Sequence, residues 1–435
     1  MQHRRTNIAA AITSLMLAAA LHPTLAMADS IDTLPFAFSG GTPNLDVRVR
    51  YETVNQDNLA ETADVVSARA RLGYTTGKWN GFDSQLELES VSALGTEQYN
   101  STNNGKTNYP VVADPATNEL NQLWLRYTGL PGTSIKLGRQ RIIYDNARFI
   151  GNVGWRQNEQ TYDGLALTGT WIKPITFNYA YINNINSFRF NTINGNNTAN
   201  IDLDSGHLVN IDYAFKPWLD LVTYAYLLDF SFDAALPPTP KAALNTLRRD
   251  NATYGARATG TLPVASVNGL KLNYALEYAR QQAYEESPSS VKGFYELAEL
   301  GAAWKMLALK VGYELLSGNG DYGFQTPLAT THAFDGWADQ FLTTPATGLK
   351  HVYVNLGYTL AKCTLTLVYH DFGPDADASQ HYGSEFDVQL TRPFFKSFTL
   401  GAKYANYMAD NGIAPAAIDK PVDVSKVWAW LEYKF

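Results

Sequence analysis

Apolar and polar residues alternate along many short stretches of this chain. In "LDVRVRYE", residues 45–52, every second side chain is apolar or aromatic and the intervening ones are charged. The same pattern recurs in "SARARLGY" (67–74) and "DSQLELES" (83–90). Because the side chains of a β-strand point alternately to its two faces, these stretches predict strands with one apolar face and one charged face.

Turn signals divide the chain into strands and connect them in pairs. Eight short connections, most of them with proline or glycine, lie at 77–81, 129–133, 172–176, 215–219, 262–270, 304–307, 360–364 and 392–396. Long polar stretches separate them, such as 95–118, 186–206 and 317–348. Short turns that alternate with long loops are typical of outer-membrane barrels, in which the short turns are periplasmic and the long loops extracellular.

Eight short turns, with both termini on one side, predict nine hairpins. The expected fold is therefore all-β, a transmembrane antiparallel β-barrel of about 18 strands, with 16 as the lower count. A globular β-sandwich is the alternative, but it does not supply nine hairpins of one polarity, and barrel closure removes the unpaired edges that lipid cannot satisfy.

The C-terminus, "VWAWLEYKF", ends on Phe435. Apolar or aromatic residues precede it at every second position, namely Tyr433, Leu431, Ala429 and Val427. This pattern resembles the terminal signal that the outer-membrane assembly machinery reads. We therefore predict that Tyr433 and Phe435 form an assembly signal. The predicted location is the outer membrane, and the expected partners include its lipid, its lipopolysaccharide and the assembly machinery.

The N-terminus has the features of a secretory signal peptide. Arg4 and Arg5 precede an apolar run over residues 8–21, and Ala26-Met27-Ala28 has the small-x-small form of a cleavage site. A membrane-anchor helix is the alternative, but the apolar run is shorter than the roughly 20 residues that a bilayer requires. We predict a signal peptide over 1–28 and a single barrel domain over 29–435.

Charge and cysteine content exclude several classes of protein. Without Arg4 and Arg5, 32 basic residues face 41 acidic ones, so the mature chain carries a formal charge of −9. Nucleic acid is therefore not an expected partner. Cys363 is the only cysteine, which rules out a disulfide within the chain and a cysteine metal cluster. No cofactor and no metal are predicted.

In a barrel surrounded by lipid the apolar face points outward, so the charged positions point inward. A charge that faces lipid at mid-depth costs about 2–4 kcal/mol. The residues predicted to line the pore are Arg48, Arg50, Arg69, Arg71, Glu87, Glu89, Arg126 and Arg257. An 18-stranded barrel is wide enough for an aqueous channel. The alternative is a lattice of ion pairs that braces the wall, with Arg69 and Arg71 opposite Glu87 and Glu89.

One loop is too polar and too aromatic for an ordinary flexible tip. The segment "LGRQRIIYDNARFIGNVGWRQNEQTYDGL", residues 137–165, is expected to contain the end of the fifth strand, the third extracellular loop and the start of the sixth strand. We predict that this loop folds into the lumen as a constriction made by Arg148, Trp155, Arg156, Gln157, Asn158 and Glu159. A compact surface loop is the alternative.

The same segment resembles the alginate-export family of outer-membrane porins, whose members carry similar "LGRQ" and "WRQNEQ" stretches. The resemblance implies a monomeric 18-stranded barrel with an arginine-rich lumen. It also implies outward passage of an anionic polysaccharide through a constriction shaped by folded-in loops.

Acidic residues on the inward face depart from that picture, notably Glu277, Glu314, Glu385 and Asp387. The sequence therefore predicts a channel for hydrophilic, anionic solutes, of which an acidic polysaccharide such as alginate is one. A general or solute-specific diffusion porin and a non-conducting adhesin or scaffold barrel are the alternatives.

Signals for an enzyme are poor. His351 and His370 are expected to face inward on paired strands. No Ser/His/Asn set and no third metal ligand at a diagnostic spacing accompanies them. We therefore predict no catalytic residues and no enzymatic activity.

Overall fold

A computed structural model describes residues 34–188, 201–231, 250–377, 379–410 and 422–435. The predicted signal peptide, 1–28, lies outside these residues.

The described residues form eighteen antiparallel strands in a single closed sheet. The strands are β1 (Thr42–Gln56), β2 (Ala63–Thr75), β3 (Phe82–Gln98), β4 (Thr117–Tyr127), β5 (Thr133–Gln140), β6 (Thr161–Gly169), β7 (Ile175–Asn186), β8 (Ile201–Lys216), β9 (Leu219–Phe230), β10 (Asn251–Pro263), β11 (Leu270–Ala283), β12 (Lys292–Trp304), β13 (Leu307–Leu316), β14 (Leu349–Leu360), β15 (Cys363–Gly373), β16 (Gly383–Phe394), β17 (Phe398–Ala409) and β18 (Val424–Lys434). Each strand pairs with the next one along the chain.

The barrel closes where the first strand meets the last. β1 and β18 pair without interruption from Asp46 opposite Lys434 to Gln56 opposite Val424. Beyond this ladder, the backbone amides of Leu45 and Phe435 each donate to the other residue's carbonyl oxygen, at 3.2 and 2.9 Å. Closure leaves no strand edge unpaired. The predicted all-β barrel of 18 strands is confirmed.

The alternation of the sequence sets which face points outward. On β1, Arg48 and Arg50 are buried inside the barrel, whereas Val49 between them is 40% exposed on the outer face. On β18, Val427, Leu431 and the terminal Phe435 lie on the outer face. The apolar register therefore faces outward and the charged register inward, as the pattern predicts.

Two strands, β3 and β8, extend by several residues into predicted loops. β3 continues to Gln98 and β8 begins at Ile201, within segments that the sequence predicts as loops. Both extensions lie at the extracellular end of the barrel. There the strand is beyond the lipid and no longer needs an apolar outer face, so the alternation that marks a strand is lost.

A short helix, α1 (Leu34–Ser39), precedes the barrel. The carbonyl oxygen of Ala37 accepts from the amide of Gly77 at 2.8 Å, so α1 lies at the turn between β2 and β3. Among the described residues, no helix has the length and the apolar composition required to cross a membrane.

Two loops account for most of the chain inside the barrel. The first inner loop, residues 141–160, joins β5 to β6, and the second inner loop, residues 317–348, joins β13 to β14. They are linked by backbone hydrogen bonds from Gly151 to Leu328, 2.8 Å, and from Thr330 to Ala147, 3.0 Å. The two loops thus form one layer across the lumen.

Candidate functional site

The C-terminal half of the first inner loop is bound to inward side chains of β1. Arg50 Nη1 donates to the carbonyl oxygen of Trp155 at 2.8 Å. Arg48 donates to the carbonyl oxygen of Arg156, and its Nε lies 2.9 Å from Gln157 Oε1. Because both arginines point inward from the barrel wall, this part of the loop lies within the lumen.

Gln157 and Asn158 bind the loop to β2 and to the connection between β3 and β4. Gln157 Nε2 donates to Ser67 Oγ on β2 at 2.8 Å, and the Gln157 amide donates to Asp114 Oδ1 at 2.8 Å. Asn158 Nδ2 donates to the carbonyl oxygen of Pro115 at 2.9 Å. Both side chains are fully buried, so their polar groups require these partners.

Glu159 completes this set of contacts. Its carboxylate accepts from Asn121, Arg141 and Asn152, at 2.5, 2.6 and 2.7 Å, and Arg71 lies 3.7 Å away. Burial alone would raise the pKa of Glu159, but Arg71 and Arg141 outweigh burial and lower it to about 2. Glu159 is therefore an anion held by two cations. We call this side of the barrel, β1 to β4, the charged wall.

The N-terminal half of the same loop packs on an apolar surface on the opposite side of the barrel. The ring of Phe149 lies 5.0 Å from that of Tyr224 on β9 and 5.4 Å from that of Tyr295 on β12. Phe324 of the second inner loop lies 6.1 Å from Phe149. Buried inward side chains of β9 extend this surface, which we call the apolar wall: Val222, Tyr226, Leu228 and Phe230. The first inner loop therefore spans the lumen from wall to wall.

Arg148 joins the two inner loops beside the apolar wall. Its guanidinium donates to Glu314 on β13 at 2.7 Å and to both carboxylate oxygens of Asp335 at 3.1 Å. Burial would lower the pKa of Arg148, but Asp335 and Glu314 outweigh burial and raise it. The arginine is thus a fixed cation between a wall strand and the second inner loop.

Lys403 on β17 holds the two inner loops together from the wall. Its Nζ lies 3.6 Å from the ring centroid of Trp337, in the second loop, and 4.3 Å from that of Trp155, in the first. Trp155 also stacks on His332, with ring centroids 4.8 Å apart. Cation–π contacts of this kind strengthen when water is excluded, so the indoles form a cage around a buried ammonium group.

Asp339 of the second inner loop is surrounded by donors. Its Oδ2 lies 2.9 Å from Arg156 Nη2 and 2.8 Å from Lys426 Nζ, and its Oδ1 lies 2.6 Å from His332 Nδ1. Burial would raise the pKa of Asp339, but Lys426, His332 and Arg156 outweigh it and hold the pKa well below the ordinary value.

His332 is neutral and its tautomer follows from its partners. Burial, reinforced by Lys403, lowers its pKa to about 3. Since Nε2 lies 2.8 Å from the ammonium of Lys403 and must accept there, Nδ1 carries the proton and donates to Asp339.

Most of the predicted pore-lining residues are less open to water than the sequence implies. Arg48, Arg69 and Arg71 border a cavity of about 460 Å³ beneath the first inner loop, on the periplasmic side. Arg50 does not border it, because its guanidinium is enclosed by the loop and by an ion pair with Asp114. The inward arginines therefore hold a loop in place as well as facing the lumen.

The lattice of ion pairs considered from the sequence is present only in part. Arg71 pairs with Glu89 across the β2–β3 hairpin. Arg69 instead donates to Asp46 and Glu432, at 2.5 and 3.2 Å, because the register places Arg69 opposite Arg48 and Val91 rather than opposite a glutamate.

Glu87 accepts from Arg141 at 2.6 Å, so it pairs with the first inner loop rather than with Arg69. Arg126 pairs with Asp83 towards the periplasmic end. Arg257 pairs with Glu277 at 2.8 Å and borders a second periplasmic cavity of about 870 Å³.

His351 and His370 face inward in contact, with Nε2 of His351 2.7 Å from Nδ1 of His370. Atoms of Glu314, Asp335 and His351 lie within 4.8 Å of one another, which is close enough for a metal ion. Arg148, however, already donates to both carboxylates. The site therefore holds a guanidinium group where a metal cation would have to bind.

Sequence reasoning missed the second inner loop and its wall partners. Asp335, Trp337 and Asp339 lie in "DGWAD" (335–339), which combines acidic and aromatic residues much as "GWRQNE" does in the first loop. That composition could have identified the second inner loop from the sequence. The wall residues Lys403 and Lys426 carried no such signal, because a single inward lysine on a strand looks like any other polar position.

Comparison with known proteins shows similarity to outer-membrane channels. Residues 43–196 match the model of the alginate export family. The match covers β1 to β7 and the whole first inner loop, and it confirms the resemblance seen in the sequence over that range. No curated protein matches the chain significantly.

Solved structures agree in fold over nearly the whole chain. OccAB2 of Acinetobacter baumannii superposes with a TM-score of 0.68 at 17% identity, covering 92% of this chain and 99% of that one. OccAB4 of the same organism gives 0.67 at 14% identity, covering 91% and 98%. OccK5 (OpdH) of Pseudomonas aeruginosa gives 0.63 at 12% identity, covering 92% and 99%. The fold is that of outer-membrane porins, and with the family match it supports an outer-membrane channel.

Proposed function

We propose that this channel passes small hydrophilic solutes and favours anions, and that it has no enzymatic activity. The observation that carries the proposal is the excess of cations around the periplasmic cavity beneath the first inner loop. Its basic side chains are Arg48, Arg69, Arg71, Arg141 and Lys434, and its acidic ones are Asp46, Glu87, Glu159 and Glu432. A wall with fixed charge biases which ions enter an aqueous pore.

The second periplasmic cavity has the same bias. Lys216, Arg257 and Lys310 face Asp220 and Glu299 around about 870 Å³. The side chain of Lys310 is 43% exposed, so its charge acts on solutes in water rather than only on a buried partner. Each cavity thus has one more basic than acidic side chain, a modest preference that suits a channel for anions better than a strongly selective filter.

Export of an acidic polysaccharide such as alginate is the second candidate function. The family match over 43–196 favours it, because that range contains the arginine-bearing strands and the first inner loop. An extended chain can pass only when the inner loops move, since they bridge the lumen from wall to wall. A small solute requires a smaller movement, which is why we place small anions first. A general diffusion porin and a non-conducting scaffold are the remaining alternatives.

The experiment is single-channel recording in planar bilayers under a salt gradient. We expect the wild-type chain to conduct and its reversal potential to favour anions. Lys310→Glu combined with Lys434→Glu should move the reversal potential towards cations, because these two side chains are 43% and 60% exposed. Lys292→Glu is the matched control, since Lys292 is exposed at the extracellular end of β12, on the outward register.

Current block separates the candidate substrates. Oligouronates that block more strongly than neutral oligosaccharides of equal length would support an acidic polysaccharide. Equal block by both kinds of oligosaccharide, or block by neither kind, would remove the reason to prefer an acidic polysaccharide. A chain that inserts but carries no current would favour the scaffold alternative.

A further inference from the structure

A third cavity lies on the other side of the inner loops, towards the extracellular end. It has a volume of about 290 Å³, near the lower limit of about 300 Å³ for small-molecule pockets. Its walls come from the extracellular ends of β1 and β18, from both inner loops, from the connection between β3 and β4 and from the residues after β7. Apolar and amide side chains alternate around it, including Val54, Val153, Leu342, Gln56 and Gln340. One side of the cavity is charged, with Arg156, Lys426 and Asp339.

Arg156 and Lys426, together with His332, form a complete binding site for a carboxylate, and Asp339 occupies it. Arg156 and Lys426 both donate to Oδ2 of Asp339, at 2.9 and 2.8 Å, and His332 donates to Oδ1 at 2.6 Å. Lys426 projects from β18 and Arg156 from the first inner loop, whereas Asp339 belongs to the second inner loop. The carboxylate in the site is therefore supplied by a different segment from its two cations.

The surroundings of Asp339 leave partners for the two cations to differing degrees when its carboxylate is displaced. The residue has a φ of 62°, in the left-handed region that aspartate and asparagine tolerate better than most residues. Arg156 has a second ion-pair partner in Glu52, at 3.3 Å, so it keeps a counter-ion when Asp339 leaves. Lys426 pairs with Asp339 among the described residues, so its ammonium is the group that most requires a replacement anion.

We propose that Asp339 is a built-in competitor for the solute: it occupies the carboxylate site of Arg156 and Lys426, and a small carboxylate that enters the extracellular cavity displaces it and releases this attachment of the second inner loop. This inference rests on the proposed function and adds to it the chemistry of the solute and a means of opening. Solute binding and opening are thereby coupled, because the same two cations hold either Asp339 or the solute, whereas Arg148 and Lys403 keep the rest of the loop attached.

The test compares Asp339→Asn with the wild type in planar bilayers. Asparagine keeps the shape of the side chain and the tolerance for positive φ but removes the charge. Asp321→Asn is the matched control, because Asp321 is exposed in the same loop. The probe is D-glucuronate added on the extracellular side, compared with D-glucose at equal ionic strength.

For the wild type we expect glucuronate to raise the open fraction by roughly fivefold or more, the usual lower range for coupled sites, and glucose to leave it unchanged. Asp339→Asn should be open without added solute and respond to neither sugar, while Asp321→Asn should behave as the wild type. The proposal is overturned if Asp339→Asn has the wild-type open fraction, or if glucuronate and glucose act alike on the wild type.

Two further measurements test the proposal in other ways. Lys426→Gln removes the receiving ammonium and should abolish the response to glucuronate, so a retained response also overturns the proposal. Calorimetric titration of the folded protein with glucuronate does not depend on conduction. Tighter binding by Asp339→Asn than by the wild type supports the competitor even if no current flows and the proposed function fails. Equal affinity contradicts the competitor even if the channel conducts.

Discussion

The charged wall and the apolar wall hold the same loop by different physical means. On the charged wall, Arg48, Arg50 and Glu159 make directional contacts with fixed partners. On the apolar wall, Phe149 packs against Tyr224 and Tyr295 without a single required orientation. Buried ions depend on each partner being present, whereas apolar contacts scale with the area that is buried. The two ends of the loop should therefore respond differently to mutation and to pH.

Removing the loop from both walls at once should have the largest effect. Deletion of 150–158 eliminates every contact of "WRQN" with the charged wall and shortens the span that reaches the apolar wall. We expect a severalfold increase in single-channel conductance. Deletion of 285–289, in the exposed turn between β11 and β12, is the control and should leave conductance unchanged. Equal conductance of the two deletion variants would show that the first inner loop does not restrict the lumen.

Arg156→Met should have the next largest effect, because it removes one ion-pairing side chain and leaves the contacts with the apolar wall in place. The side chain pairs with Glu52 at 3.3 Å and with Asp339 at 2.9 Å. Removing one member of a buried ion pair costs about 3–5 kcal/mol, so the loop should be held less tightly, although Arg48 and Arg50 still bind its backbone, and it should become more open to protease. Cleavage of the folded barrel within 147–158 measures this, with Arg126→Met as the control. A protease pattern like that of the wild type would contradict the charged attachment.

The sequence predicts the charged wall better than the apolar wall. The charged wall was predictable, since "LDVRVRYE" and "SARARLGY" show their charged face at a glance. The apolar wall was not, because "LVTYAYLLDF" on β9 is apolar on both faces. In such a strand the inward Tyr224 and Leu228 cannot be told from the outward Leu221 and Leu227 by composition. The partners of Arg148 and Arg156 lie 166 and 104 residues away in the chain, and no local pattern encodes such pairs.

Acid should release the charged end and leave the apolar end in place. The pKa of Glu159 is lowered from 4.5 to about 2 by Arg71 and Arg141 against the effect of burial. A carboxyl with a lowered pKa stabilises the folded state above its ordinary pKa, and this contribution is lost as the pH falls through the folded value. By linkage the contribution is on the order of 3 kcal/mol.

The measurement is conductance of the wild type and of Glu159→Gln between pH 5 and pH 2. Conductance of the wild type should rise over this range more steeply than that of Glu159→Gln, which has no carboxyl to titrate at this position. Parallel pH profiles would mean that Glu159 does not hold the loop.

Phe149→Leu should have the smallest effect. Leucine keeps most of the apolar contact, and the loss is about 1–2 kcal/mol, well below the roughly 3–5 kcal/mol of a change to alanine. We expect slightly noisier current and no change in mean conductance. A conductance as high as that of Arg156→Met would show that the contacts with the two walls are equally sensitive to substitution. The distinction between the walls would then be wrong.

Hydrogen exchange of the wild-type barrel tests most directly whether the first inner loop is fixed inside the lumen. Four of its amides donate to acceptors inside the barrel: Gly151 donates to Leu328, Val153 to Thr330, Gln157 to Asp114 and Gln160 to Asn152, at 2.7–3.1 Å. In the folded protein these amides should exchange as slowly as those of the flanking strands β5 and β6. Exchange as fast as that of the exposed turn 285–289 would contradict the account, because the loop would then lie in solvent and the lumen would be open.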